Sequence, residues 1–500
     1  MVSRYSLGID IGTTSVKAIL ISRDGRIVYE TSSPHDLYSE RIGWAEENTD
    51  DWWSNTLLVI ERMLQEVPQA AAGIEAIGVS GMVPAIVLLD SEGNPLRRSI
   101  QQNDARSGKE IDWLKKTLDQ DSLYRLTGGY TNQQHVLPRL LWVKANEPDV
   151  WSKTATIFGS YDYVTYKLTG QYSIEANWAV ESGLYDIREG VWLTDQLTGF
   201  NVDPDLFPDV RASADIVGTV SEEAAGLTGL PAGIPVIAGS ADHVASTLAA
   251  GIVDEGDLLI KFGGAGDILY CTNDIVTVPE LFFDYHVVPG RYLLNGCMAA
   301  SGSLVKWYIK DLLRTENDDI FRELDEAALQ VKPGADGLVI LPYFLGEKTP
   351  IFDPEARGVM FGLTLSHGRG HIFRAILEAV IYGFRHHVEI LESHGYRPNK
   401  VFATNGGAKS KFWCQIAADV LKCDIRSFPS HPGSALGVAF VAGMTAGLFD
   451  DWSDIHGFLQ DYRDFSPIPS HSDVYDKSYR IYRDLYRQLK PSFESLKSLY

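Results

Sequence analysis

Apolar and polar positions alternate at the start of the chain in a way that predicts strands. In "LGIDIGTTSVKAILISRDGRIV" (Leu7 to Val28) an apolar run stops at Asp10, and Gly12-Thr13-Thr14-Ser15 supplies a turn. A second apolar run follows, closed by Asp24-Gly25, so the stretch reads as a β-meander. Ile74 to Asp90 and Gly233 to Asp242 read as further strands leading into loops. Phe373 to Leu391 places Ile376, Val380, Phe384 and Val388 at four-residue spacing, which predicts a helix. Strand-like and helical runs alternate over most of the length, and this predicts α/β architecture. Gly256 to Tyr270 restarts the opening pattern, a strand running into a Gly-rich bend and then another strand, about 250 residues later. Two related halves facing one another are therefore expected, with a boundary just after "DHVASTLAAG" and domains at 1–248 and 249–500. Tyr475, Tyr479, Tyr482 and Tyr486 share one helical face near the end, a stripe that reads as core packing. Ala435 to Phe449 is the longest uncharged apolar stretch. It is short of a membrane span, and Gly437, Gly443 and Gly447 suit a tightly packed helix.

Length and composition narrow the classes. Five hundred residues exceed what one core usually serves, so two or three domains are expected. Asp and Glu number 66 against 44 Lys and Arg, leaving a net charge of −22. Such a surface repels nucleic acid and anionic membranes, and any anionic ligand needs a local positive or backbone N–H site. Four cysteines without a C-x-x-C pair point to reduced thiols and a cytoplasmic setting, with neither disulfides nor a zinc site. Asp10 interrupts the first apolar run too early for a signal peptide.

Three bends carry residue types suited to phosphate chemistry. Gly12-Thr13-Thr14-Ser15 offers backbone N–H groups and three hydroxyls, with Lys17 beside them, a good cradle for phosphate oxygens. Asp10 at its edge suits a hydrated Mg²⁺. The plainer reading is a hairpin whose bend Asp10 caps. The stretch is neither a P-loop nor a G-x-G-x-x-G unit. In "IPVIAGSADHVASTLAAG" Asp242 falls at a helix N-terminus, whose dipole favours the ionised carboxylate and keeps it ready to accept a proton. An ordinary N-cap is the alternative there, and His243 reads as helix-start packing without a role. In "VFATNGGAKSKFWCQIAADVL" a strand meets Gly406-Gly407 before a helix opens at Ala408-Lys409-Ser410. Paired glycines let a ligand approach the backbone, or simply make a tight joint. Gly334 to Gly358 reads as a buried strand followed by a long polar loop.

Seven ordered motifs resemble the FGGY family of carbohydrate kinases. They are D-x-G-T-T-S at Asp10 to Ser15, N-D-A-R at Asn103 to Arg106, Y-K-L-T-G at Tyr166 to Gly170 and A-G-S-A-D at Ala238 to Asp242. S-G-S-L-V-K-W at Ser301 to Trp307, L-P-Y-F-x-G-E-K-T-P at Leu341 to Pro350 and N-G-G-A-K-S-x-x-W-x-Q-I-x-A-D at Asn405 to Asp419 complete the series. The resemblance implies two actin-like, ribonuclease-H-like domains with ATP and a small sugar or polyol in the cleft between them. It implies Mg²⁺ held through water by Asp10, and phosphates engaged by Gly12, Thr13, Thr14, Ser15 and Lys17. Asp242 would be the general base, Gly263 and Gly264 the second phosphate bend, and Gly302, Gly406, Gly407, Ala408 and Lys411 the adenosine surroundings. Family members are often dimers, so a homodimer is the expectation.

Departures from the family lie in the sugar-reading elements. Xylulokinases of the bacterial type carry G-Q-M-H-G where this chain has Gly81-Met82-Val83-Pro84-Ala85. Glycerol kinases carry an Arg-Glu pair at Val83 and Pro84, which disfavours glycerol. Gln102 stands at a tryptophan position, while Asp104 and Arg106 remain. Gly264 lacks the usual hydroxyl. An apolar Met82-Val83-Pro84 wall leaves specificity to Asp104, Asp242 and loop residues. The expected activity is ATP-dependent phosphorylation of a D-xylulose-like ketose, with D-ribulose or an erythritol-type polyol next. A non-catalytic sugar or nucleotide sensor on the same scaffold is the competing class.

Overall fold

The computed structural model describes residues 4–317 and 319–496. Its first sheet contains β1 (Tyr5–Ile11), β2 (Ser15–Ser22), β3 (Arg26–Pro34), β4 (Ile74–Gly81), β5 (Ile216–Thr219) and β6 (Pro235–Ile237). The spatial order is β5-β6-β4-β1-β2-β3, with β1 antiparallel to β2 and parallel to β4. The second sheet contains β7 (Asp257–Phe262), β8 (Gly266–Thr272), β9 (Phe282–Tyr285), β10 (Tyr292–Met298), β11 (Lys400–Thr404), β12 (Ile425–Ser427) and β13 (Arg463–Phe465). Its order is β9-β10-β8-β7-β11-β12-β13.

Apart from β9 the two orders coincide. A three-strand meander lies beside two parallel strands, and an antiparallel strand closes the edge. This is the duplicated, actin-like arrangement of ribonuclease-H-like units, and the repeated strand–bend–strand pattern of the sequence is its visible trace. The central strands are buried on both faces, as their near-continuous apolar sequence requires. The edge strand β3 is largely exposed. Among the described residues no helix is long and apolar enough to cross a membrane.

Helices bury the outer faces. α1 (Thr49–Glu66) covers β2 and β3, while α2 (Asp242–Ala249) follows the first sheet and α3 (Arg369–Ser393) lies on the second. α4 (Lys411–Leu421) packs against α3, and α6 (Ser472–Leu496) lines the second core with Tyr475, Tyr479 and Tyr482. Tyr486 is only half-buried but joins the same cluster. α5 (Ser434–Thr445) comes from the second half of the chain yet packs on β1, β4 and α2 of the first. Its uncharged apolar sequence is explained by burial on all sides.

That packing is close enough to demand glycine. A Cβ on Gly8 of β1 would stand 2.0 Å from the Ala435 carbonyl oxygen, and one on Gly437 would stand 1.9 Å from that of Ala245. Replacing Gly437 with alanine should therefore cost about 3 kcal/mol of stability by overpacking. Urea unfolding checks this, and an unchanged midpoint would refute the contact.

Candidate active site

Three adjacent strands set the site. Asp10 on β1 lies opposite Ser80 on β4, and Ser80 lies opposite Ser240 in a short extension that leads into α2. Each strand spacing is about 4.8 Å, so the turn at Ser240 brings Asp242 to the same end of the sheet as Asp10. The Asp10 carboxylate accepts a hydrogen bond from Ser80 at 2.8 Å. Burial, then the charge of Asp242, pushes its pKa up to about 6 against the hydrogen bonds of Ser434 and Ser80 and the charge of Lys17. Two carboxyl groups, Asp10 and Asp242, thus share one end of the sheet. That donor chemistry fits a hydrated divalent cation.

Asp242 opens α2 with its side chain 41% exposed to a cavity of about 290 Å³. Burial opposes its ionisation, but the hydrogen bond and charge of His243, joined by Lys261, hold its pKa below the ordinary range. His243 Nε2 lies 3.2 Å from Asp284 and 3.8 Å from Glu181, while Nδ1 lies 3.7 Å from Asp242. Burial disfavours the imidazolium, yet Asp284, Asp242 and Glu181 together raise its pKa well above the usual value. Burial and the charge of Asp284 push Glu181 up to about 8. Met82 and Val83 form an apolar side of the cavity, and Gln102, Asn132, Gln134 and Asn295 supply amides.

A second cavity, of about 1180 Å³, opens in the second half. Gly263 and Gly264 of the β7–β8 bend, Gly302, Gly406, Gly407 and Lys411 line it, with Phe412 and Trp413 giving it apolar walls. Gly407 is forced by close approach, since a Cβ there would stand 2.6 Å from Phe262 and Trp413. Asn405, which hands β11 to the glycines, has φ of +71°. Gly406 and Gly264 face open space.

The bend Gly12–Ser15 is closed by a Gly12 N–H bond to the Ser15 carbonyl. The Thr13 hydroxyl donates to the Met82 sulfur, tying the bend to the first cavity's wall, and Thr14 is exposed. Lys17 lies opposite Asp10 on β2 and donates to the Pro432 carbonyl at 3.0 Å.

Asp10, Gly12, Thr13, Thr14, Ser15 and Lys17 line neither cavity, and three further expected residues do not either. Asp104 is fully buried, with its oxygens accepting from the Ala45 N–H and the Arg106 guanidinium at 2.7–2.9 Å. Its oxygens are thus engaged in a buried ion pair with Arg106 and by the Ala45 N–H. Pro84 is buried behind Val83, its carbonyl taken by Arg139 at 2.9 Å. Ala408 is buried beneath the Gly406-Gly407 turn, its carbonyl accepting from Ser427 at 2.7 Å. In the other direction His243, given no role from the sequence, lies at the centre of the carboxylate cluster. The signal was present, a titratable residue directly after the candidate base.

Residues 5–249 match the N-terminal domain of the FGGY family of carbohydrate kinases, and residues 273–446 match the C-terminal domain. The chain is similar to the crystal structure of xylulose kinase from Rhodospirillum rubrum, at 42% identity and TM-score 0.95, covering 98% of this chain and 100% of that one. It is 29% identical to xylulose kinase of Bacillus subtilis over 99% of both chains. It is 26% identical to gluconokinase of Bacillus licheniformis, over 98% of this chain and 97% of that one.

The raised pKa of Glu181 has a thermodynamic consequence. Between the ordinary carboxylate range and pH 8 the folded state holds a proton that the unfolded state has released, so stability falls as pH rises through that interval. Glu181→Gln removes the penalty. Its melting temperature should exceed that of the parent by a margin that widens from pH 5 to about pH 8 and then levels off. A pH-independent margin in thermal melts would contradict the assigned environment.

Proposed function

Since the chain belongs to the FGGY family of carbohydrate kinases and is an ATP-dependent sugar kinase, we propose that it phosphorylates a neutral D-xylulose-like ketose with Asp242 as general base. One observation carries the reading: Asp242 is the ionised carboxylate that faces the smaller cavity from beside Asp10. Residues 1–248 would bind the acceptor and 249–500 the nucleotide, apart from α5, which belongs with the first core.

Phosphoryl transfer asks for alignment, charge neutralisation and one proton acceptor. The larger cavity, with its glycine turns and apolar walls, suits the adenosine. Amide side chains around the smaller cavity suit hydroxyl groups, and the Met82-Val83 side suits the carbon skeleton. Asp242 takes the proton of the attacking hydroxyl. His243 keeps that carboxylate ionised and oriented, while Asp284 and Glu181 hold His243. Mg²⁺, when bound at Asp10, supplies charge neutralisation at the phosphates. The bend Gly12–Ser15 and Lys17 would lie on the same side.

The test is ADP release from ATP and Mg²⁺ with D-xylulose, D-ribulose, erythritol and gluconate. D-Xylulose should give the highest kcat/KM. Asp242→Asn should lower kcat by about 10²–10⁴-fold with ADP affinity retained. Full turnover by this variant on the best sugar would remove Asp242 from the role. Nucleotide binding by calorimetry without turnover on any sugar would favour a sensor.

A further inference from the structure

We propose that Lys261 is a further catalytic residue, the cation that contacts the transferring phosphoryl group and neutralises the charge on it. The proposal rests on the kinase reading above and adds a residue that the sequence motifs did not single out.

Position is the first argument. Lys261 and Phe262 are neighbours at the end of β7, so their side chains point to opposite faces of the sheet. Phe262 lines the larger cavity and Lys261 the smaller. One strand end thus separates the nucleotide space from the acceptor space, and the phosphoryl group must pass it. Lys261 Nζ donates to Ser246 Oγ at 3.1 Å. Ser246 lies four residues after Asp242 on α2, so the two share a helix face with Cβ atoms about 5–6 Å apart. This pins the ammonium within one helical turn of the general base. Asp267, opposite Lys261 on β8, is 3.9 Å away, too far for a hydrogen bond. Among the described residues Ser246 is its one hydrogen-bond acceptor, leaving ammonium protons for a ligand.

Need is the second. The β7–β8 bend, Gly263-Gly264-Ala265, offers a phosphate backbone N–H groups but no side-chain donor and no cation. Gly264 has no hydroxyl, and the N–H groups of Ser301, Gly302 and Ser303 are spent on the carbonyls of Gly263 and Gly264. The Ser303 hydroxyl is spent on Gly264 as well.

The duplication supplies the third. On β1 and β2 the facing pair is Asp10 and Lys17; at the corresponding place on β7 and β8 it is Lys261 and Asp267. The same two positions carry the charges in reverse. One strand end presents a carboxylate suited to a metal ion, and its counterpart presents an ammonium suited to phosphate.

In the step so assigned, the bond between the γ-phosphorus and the bridging oxygen breaks, and its electron pair leaves with ADP. The sugar oxygen forms the new bond to phosphorus and its proton passes to Asp242. Lys261 keeps its protons and donates hydrogen bonds to non-bridging oxygens.

The experiment compares the parent, Lys261→Met and Lys261→Arg by steady-state kinetics and by thermal shift with Mg²⁺-ADP, with and without aluminium fluoride as a phosphoryl mimic. Lys261→Met should lose about 10²–10³-fold in kcat, with sugar KM changed by less than about fivefold and the ADP shift kept. The extra stabilisation by fluoroaluminate, present in the parent, should vanish, and Lys261→Arg should recover part of both. The proposal is overturned if Lys261→Met keeps more than about a third of kcat, or keeps the fluoroaluminate increment. A parent that phosphorylates no sugar sinks the kinase reading instead. The fluoroaluminate comparison then decides on Lys261 alone, and equal increments, or none in the parent, overturn it.

Discussion

The site depends on how closely β1, α2 and α5 meet. Gly8 admits the backbone of α5 against β1, and Gly437 admits that of α2 against α5. Each contact lies within three residues of a residue at the site: Gly8 of Asp10, Ala245 of Asp242, and Gly437 of Ser434, whose side chain hydrogen-bonds Asp10. Backbones held this near cannot slide without steric clash, because interiors pack at crystal density. The junction therefore buries Asp10 and sets it beside a second acid, and both effects raise its pKa, burial the more. Functional sites commonly retain such strain where the surrounding packing over-determines it.

The second organising fact is duplication followed by division of labour. Both sheets repeat one strand order, and both meanders open on a glycine bend. The bend of the first half is tied through Thr13 to Met82 in the wall of the smaller cavity, and the bend of the second half lines the larger one. α5 then binds the halves together by leaving one to complete the core of the other. The result is a pair of cavities of unequal size and lining, separated by little more than a strand end. Kinase chemistry needs that adjacency, since the nucleotide and the alcohol must share one line of transfer while water is kept out.

What was legible in the sequence was local. The meander, the bends, the helix at Phe373 to Leu391 and the tyrosine face are set by short-range period and by glycine, and the structure has them. Roles that depend on distant partners were not legible. Asp104 is held by Arg106, which itself pairs with Glu46 and stacks on Trp44. Ala408 is buried, and its carbonyl is taken by Ser427, 19 residues downstream. His243 was passed over because Asp284 lies 41 residues downstream and Glu181 lies 62 residues upstream in the chain. Spacing carries no record of such convergence. Lys261 was hidden for a further reason, as an isolated lysine in a strand looks ordinary until its neighbour strand and helix are known.

The most direct measurement is a crystal structure with a non-hydrolysable ATP analogue, Mg²⁺ and D-xylulose together. The account predicts a sugar hydroxyl within hydrogen-bond distance of Asp242, the base of the nucleotide between the Gly263-Gly264 and Gly406-Gly407 turns, and the terminal phosphate between them. Sugar density in some other part of the molecule, or a nucleotide whose terminal phosphate points away from Asp242, would contradict it.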